Sequence, residues 1–442
     1  FFFRNSHLIM SKVTTAPALV SRFLRNHWVR CLGCTEPASI ALASAHAAAI
    51  TGGDQIKSIR VVCDPRLFRN CHAVGIPCSN GAHGLPIAAA LGALVRKPEL
   101  GLQVLEGVTP EVLSQAHDVE VHHDYDPDKK DLYVEAEVVT DKGVGRAVFS
   151  GGHQHLVARE KDHVPLTPEQ LSTCQDPAGP NRTDQIDTLV SLRKMSFADI
   201  IALTKDLTDA DREHIRRGWA CNRAIVHEGL RMLSEQQTRP DWGLSESLQT
   251  TITRHVTAGV YARMSGCNSA VYALCGSGNK GICTSVPVAM QAHHMHLPQS
   301  EVEESLALAF LVAGKMTSYL GEVSSACGLP QASSPAITAA YVHMRGGTPK
   351  EIEDCVKYVL ASTIGTVCDG AGKGCMLKAA SAVAAACHST MLFPAWGIDL
   401  THTGIFGDDL QDSLVHFEHL VDEGLRHCDS QVLRAMHDQD AA

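Results

Sequence analysis

An excess of positive charge is what this sequence most clearly lacks: 38 Lys and Arg stand against 48 Asp and Glu, a formal net charge of −10. No basic stripe is available to follow a phosphate backbone, so nucleic acid is not an expected partner. Long apolar runs are scarce as well. The best candidate for a span, Ala379 to Ile398, consists mostly of small residues and includes His388 and Pro394, so no membrane partner is expected. The apolar part of Phe1–Met10 is too short for a signal peptide or a span. Met10-Ser11-Lys12 reads as a start, which leaves residues 1–9 as upstream translation or the remnant of a longer precursor.

What is present is size, small residues and thiols. A chain of 442 residues with 45% hydrophobic content can bury one large core or two to three ordinary ones. Its 16 cysteines are scattered along a long chain without a convincing leader, which fits a reducing, cytoplasmic setting better than a secreted disulfide framework. Thr35–Thr51 reads as a helix with Cys34 or Thr35 at its N-cap and Gly52-Gly53 at its end, and Pro86–Arg96 as a second alanine-rich helix. Lys57–Cys63, Asp118–His123, Asp131–Thr140 and Val144–Phe149 alternate as strands. Asp141-Lys-Gly143 forms a hairpin turn, and His155–Arg159 is a candidate continuation of an antiparallel sheet. From Lys161 to about Arg193 the chain turns polar and proline-rich. Beyond it the periodicity is helical: Asp209–Leu233, Leu244–Met264, Glu301–Tyr319, Ser334–Met344, Pro349–Thr363 and Met376–Met391. The expectation is an α+β fold: a mixed region over 10–160, a polar excursion over 161–195 and a helical region over 196–442.

Cys368 and Cys375 sit in a glycine-broken loop, Gly365-Thr-Val-Cys-Asp-Gly-Ala-Gly-Lys-Gly-Cys375, between two helical stretches, and Cys327 lies upstream in Ser324-Ser-Ala-Cys-Gly-Leu-Pro330. Three thiols suggest a metal group with one coordination position free for chemistry; buried free cysteines are the bland alternative, and the spacing matches no standard ferredoxin pattern. Cys34 stands at a helix mouth, where partial positive charge favours a thiolate. With Cys31 it also makes a Cys-x-x-Cys, and a core role is the third reading. The segment Cys275-Gly-Ser-Gly-Asn-Lys-Gly281 offers backbone N–H groups to an anion but has neither Walker nor Rossmann spacing, and an ordinary tight turn is the alternative. His153 and His155, two apart, would share one strand face; zinc and a pair of satisfied histidines both fit. Arg66–Gly84 reads as a long functional loop with His83 as a candidate proton carrier.

Together these stretches resemble the iron–sulfur L-cysteine desulfidases, related to the α-chain of iron–sulfur L-serine dehydratases. The matching pieces run in family order over most of residues 30–390. They are Gly33-Cys-Thr-Glu-Pro37, Arg69-Asn70 with Gly75-Ile-Pro77, Gly84-Leu-Pro-Ile-Ala-Ala-Ala-Leu-Gly-Ala93, Gly151-Gly-His153, Ala262-Arg-Met264, Gly276-Ser-Gly-Asn279, Cys327, and Cys368-Asp-Gly-Ala371 with Cys375. The resemblance implies a [4Fe–4S] cluster on Cys327, Cys368 and Cys375, and Cys34 as general base. It also implies conversion of L-cysteine and water to pyruvate, ammonia and sulfide without pyridoxal phosphate. Thr35, Glu36, Asn70, His83, His153, Arg263, Ser277, Gly278 and Asn279 are the expected substrate-binding residues. The implied partner is a small amino acid, and a homo-oligomer is compatible. The chain departs from the family pattern at Tyr261, at Ile76-Pro-Cys-Ser-Asn-Gly81, at His155 and at Lys280. L-Serine or another β-substituted amino acid is the competing substrate, and a non-catalytic metal or redox sensor is the competing class.

Overall fold

The computed structural model describes residues 16–130, 132–172, 181–236 and 246–440. Met10, Asp131 of the expected strand, residues 173–180 of the polar stretch, and Leu244 and Ser245 of the expected helix lie outside the described residues.

Helix Thr35–Thr51 organises the first part of the chain. Alanine, serine and isoleucine surround it on all sides, and nearly every residue is buried, as a helix without a polar face must be. It lies on strands β4 (Val134–Thr140) and β5 (Gly143–Phe149) and against helix Leu85–Val95. In β4 the buried positions Val134, Ala136, Val138 and Thr140 alternate with half-exposed ones, so one face of the sheet carries the core. The sheet has six strands, ordered β3-β2-β4-β5-β6-β7, with β2 Ile56–Cys63, β3 Glu120–Tyr125, β6 Leu156–Lys161 and β7 Val164–Pro165. The expected turn closes the β4–β5 hairpin, where Thr140 pairs with Gly143.

The α+β class stands, with one change to the sheet. It is mixed, because β3 runs parallel to β2 with Ser58 opposite Glu120. A parallel neighbour needs a long crossover, and the helices Pro65–Cys71 and Leu85–Val95 supply it. A second element was not foreseen: β1 (Trp28–Leu32) pairs antiparallel with β8 (Ala270–Leu274), joining segments about 240 residues apart in sequence. Helix Arg182–Lys194, N-capped by Asn181, occupies part of the polar stretch.

The later helices match expectation closely, Ser334–Met344 and Pro349–Thr363 to the residue. Among the described residues one helical stretch, Cys375–Trp396, is long and apolar enough to cross a membrane by length and composition; a third of its apolar window is buried in the fold. That segment overlaps Ala379–Ile398, which the sequence reading set aside.

Contact between Thr35–Thr51 and Leu85–Val95 is backbone-close. A Cβ at Gly92 would overlap the Ala41 carbonyl. Gly92→Ala is therefore expected to destabilise the protein by about 1–3 kcal/mol, as overpacking a tight core does. Urea unfolding measures this, and an unchanged midpoint would show that the two helices can move apart freely.

Candidate active site

The β1–β8 ribbon sets the frame. β1 runs into Gly33 and Cys34, the N-cap of helix Thr35–Thr51, and β8 runs into the turn that starts helix Gly278–His294. Glu36, in the first turn of Thr35–Thr51, is the hub. Its Oε2 accepts from the Cys34 thiol and from Thr35 Oγ1, both at 3.0 Å, and its Oε1 accepts from Asn70 Nδ2 at 2.9 Å. Burial would raise the Glu36 carboxyl, but His153, the Cys34 and Asn70 hydrogen bonds and Arg263 outweigh it and hold the group below its ordinary range. Cys34 behaves oppositely to the helix-mouth expectation. Burial, then the neighbouring Glu36 charge, push its thiol well above the ordinary value, with Arg263 opposing. The resting group is a thiol that donates to a carboxylate.

Arg263, at the end of helix Leu248–Met264, is fully buried. Its Nη1 donates to Asn279 Oδ1 at 3.0 Å, while Nε and Nη2 have no acceptor. A Cβ at Gly278 would overlap this guanidinium, so glycine there is a packing requirement. Ser277 caps the helix by accepting from the Lys280 N–H at 3.3 Å. Lys280 is buried against Gly328, and its Nζ has Thr317 Oγ1 at 3.5 Å.

His153 is buried beside Glu322, with its Nδ1 3.7 Å from a Glu322 oxygen and its Nε2 without a hydrogen-bond partner. Arg182 Nη1 donates to the same carboxylate at 2.7 Å. Burial would raise Glu322 too, yet His153, Arg182 and His27 hold it far below the usual carboxylate range. Ser39 Oγ donates to the His153 carbonyl at 2.8 Å and ties this turn to the central helix. The turn after β5 removes the expected shared strand face of His153 and His155, because His155 Nδ1 bonds the Ser150 carbonyl of its own loop at 2.7 Å. His83 is not brought into this group either. It is exposed, in a bridge opposite Gly75, with solvent available to its ring.

The three expected thiol ligands are drawn together by backbone. Ala326 pairs antiparallel with Val367; the Cys327 N–H donates to the Thr366 carbonyl at 2.9 Å and the Cys368 N–H to the Ser325 carbonyl at 2.8 Å. Cys327 and Cys368 are thus diagonal neighbours on one face of a short ladder, a relation that spaces residues roughly 7–8 Å apart. Cys375 opens helix Cys375–Met391. Burial first, then the Cys368 sulfur, raise both the Cys327 and the Cys375 thiols, so all three share one neighbourhood. Among the described residues no three His, Cys, Asp or Glu groups close on a single ion. A diagonal spacing lets the two thiolates reach either one ion or different irons of a cluster.

Residues 99–434 match the profile described as serine dehydratase alpha chain. The chain belongs to that family. It is a lyase family, and the match includes His153, Arg263, the 277–279 turn and all three candidate ligands, whereas Cys34 to Asn70 precede it. Whole-length relatives extend across the earlier part. A UPF0597 protein of Alkaliphilus oremlandii is 28% identical over 431 residues, 95% of this chain and 97% of its own. A UPF0597 protein of Geobacter sulfurreducens is 29% identical over 416 residues, 92% of this chain and 95% of its own.

In this serine dehydratase alpha-chain relative, sequence reasoning missed Glu322, Arg182 and the closeness of Cys31 to Arg263. Glu322 follows Gly321 at a helix end, and nothing local marks it as buried. His27 was missed as well. Its Nε2 lies 3.0 Å from Thr188 Oγ1, and burial lowers it to about 4. Uncharged in the fold and basic when unfolded, it should cost stability as pH falls from about 6.5 toward 4, up to about 3 kcal/mol. His27→Gln should flatten that part of the stability–pH curve measured by denaturant titration. An identical slope would remove His27 from the account.

Proposed function

We propose that this chain is a pyridoxal-phosphate-independent [4Fe–4S] lyase that converts L-cysteine and water to pyruvate, ammonia and hydrogen sulfide. The observation that carries the reading is the meeting of two sets. One is a thiol–carboxylate pair, Cys34 and Glu36, and the other is three cysteines on adjoining backbone, with Cys375 close enough to influence Cys34. Cys327, Cys368 and Cys375 would hold the cluster, which when bound supplies a Lewis-acidic iron for the β-heteroatom.

The chain's own residues do the rest. Glu36 takes the Cys34 proton across 3.0 Å, the thiolate so formed removes the substrate's Cα proton, and the leaving sulfide takes up the proton held on Glu36, which restores the carboxylate. Arg263 stands beside that thiolate and favours its charge. The free Arg263 donors, with Asn279 and Ser277, suit the substrate carboxylate, and the unpartnered His153 Nε2 and Asn70 Oδ1 are further contacts for its polar groups. Thr35 stays on the Glu36 carboxylate and orients it. The released aminoacrylate hydrolyses without help.

L-Serine is the second reading, favoured by the family that residues 99–434 match. Fifteen described cysteines are free thiols, which supports a cytoplasmic setting. Partners would be the amino acid and further copies of the chain, for which the exposed Leu377, Met391, Leu392 and Trp396 offer an apolar face.

Anaerobic purification with iron and sulfide quantification, then assay on an amino-acid panel, tests the proposal. Sulfide with pyruvate from cysteine is the expected result; pyruvate from serine alone would sink the desulfidase assignment. Cys368→Ala and Cys375→Ala should lose iron and turnover together. Cys34→Ala should keep iron and lose about a hundredfold or more in rate. Normal turnover by that variant would remove Cys34 as base.

A further inference from the structure

The two loops that carry the cysteines share an anchor that lies outside both of them. Asp429, on the C-terminal helix Arg426–Asp440, is buried and accepts from three side chains. Arg66 Nε donates to its Oδ2 at 2.8 Å, Ser325 Oγ donates to the same oxygen at 2.8 Å, and Arg69 Nη1 donates to Oδ1. The two arginines then continue into the segment before Cys327. Arg66 donates to the Val323 carbonyl at 3.3 Å and to Ser325 Oγ at 3.2 Å, and Arg69 Nη2 to the Ser324 carbonyl at 3.2 Å. Ser325 in turn accepts the Cys368 N–H through its own carbonyl. One carboxylate therefore fixes the stretch that aligns Cys327 with Cys368.

The helix Arg426–Asp440 reaches the loop of Cys368 and Cys375 as well. Gly370, between Cys368 and Cys375, has φ +100°; a Cβ there would come within 2.8 Å of Met436 Cε and 2.9 Å of the Arg69 carbonyl. Cys375 Sγ lies 3.7 Å from the Gly370 carbonyl. Helix Pro65–Cys71, which carries both arginines, also carries Asn70 on its bond to Glu36.

We propose that Asp429 is a positioning residue: it latches the C-terminal helix onto the thiol-bearing loops and sets the alignment of Cys327 with Cys368. The part concerning a bound cluster rests on the functional reading above; the part concerning the backbone does not. Arg69 is fully buried, so removing its counter-charge leaves a cation without compensation and loosens the segments it holds.

The test compares Asp429→Asn and the milder Ser325→Ala with Glu418→Gln. The last breaks another paired carboxylate near the C-terminus, on Arg193, that has no bond to these loops. Amide exchange is followed at Cys327 and Cys368 in metal-free full-length protein. Exchange there should rise by about tenfold or more in Asp429→Asn, less in Ser325→Ala, and not in Glu418→Gln. In reconstituted protein, iron should pass to a chelator about tenfold faster from Asp429→Asn than from wild type. Unchanged exchange at both amides, or an equal rise in Glu418→Gln, overturns the proposal. A wild-type protein that holds no iron while the exchange pattern follows expectation would defeat the cluster reading and leave the latch standing.

Discussion

A carboxylate removed from water is tolerated only where fixed donors and opposite charge replace the solvent, and Glu36 shows how much of this molecule serves that condition. Its donors come from the residue two before it, the residue immediately before it, and Asn70 on another helix. Arg263, from the end of helix Leu248–Met264, and His153 from the β5–β6 turn supply the positive side. Remove any of these segments and the ion loses part of its solvation. The central helix, the ribbon and the sheet are in this sense held to one arrangement by a single buried charge, with the apolar core supplying the bulk of the free energy around it.

The same charge decides the state of Cys34. A helix N-terminus favours an anion by about 0.3–1 kcal/mol at an exposed site. Here a buried sulfur faces desolvation and a carboxylate at hydrogen-bond distance, and those two effects together exceed the dipole and Arg263. The chemical consequence is a division of labour. Glu36 carries the resting negative charge; Cys34 carries the proton. A thiol that keeps its proton is also less exposed to oxidation, because thiolate is the reactive form.

Much of this was legible in the sequence, and the failures have physical reasons. Helices such as Thr35–Thr51 and Ser334–Met344 declare themselves through proline in the first turn and glycine after the end. The hairpin Asp141-Lys-Gly143 did so through its turn residues. Pairing partners did not. Nothing in Trp28–Leu32 says that it meets Ala270–Leu274, and nothing in Glu120–Tyr125 says that it lies parallel to β2, because register belongs to contacts far apart in sequence. Site residues divided in the same way. Cys34, Glu36, Asn70, Arg263 and Asn279 were marked by small motifs and converge as expected. Glu322, Arg182 and Asp429 sit at helix ends or on polar helices, where a buried acid or base looks like a solvated one. His83, marked by the glycines and turn residues around it, is exposed and stays apart from that group.

The backbone around the three thiols is the remaining constraint. A structural zinc ion draws sulfur atoms to about 2.3 Å from one centre, which demands that ligand backbones converge tightly, as Cys-x-x-Cys knuckles do. Cys327 and Cys368 are instead held as diagonal partners by the backbone hydrogen bonds of their short ladder. Cys375 approaches from a helix start on the far side of a glycine loop whose Gly372 and Gly374 face open space. The thiols therefore stand in a frame with hydrogen-bonded backbone on one side and room on the other.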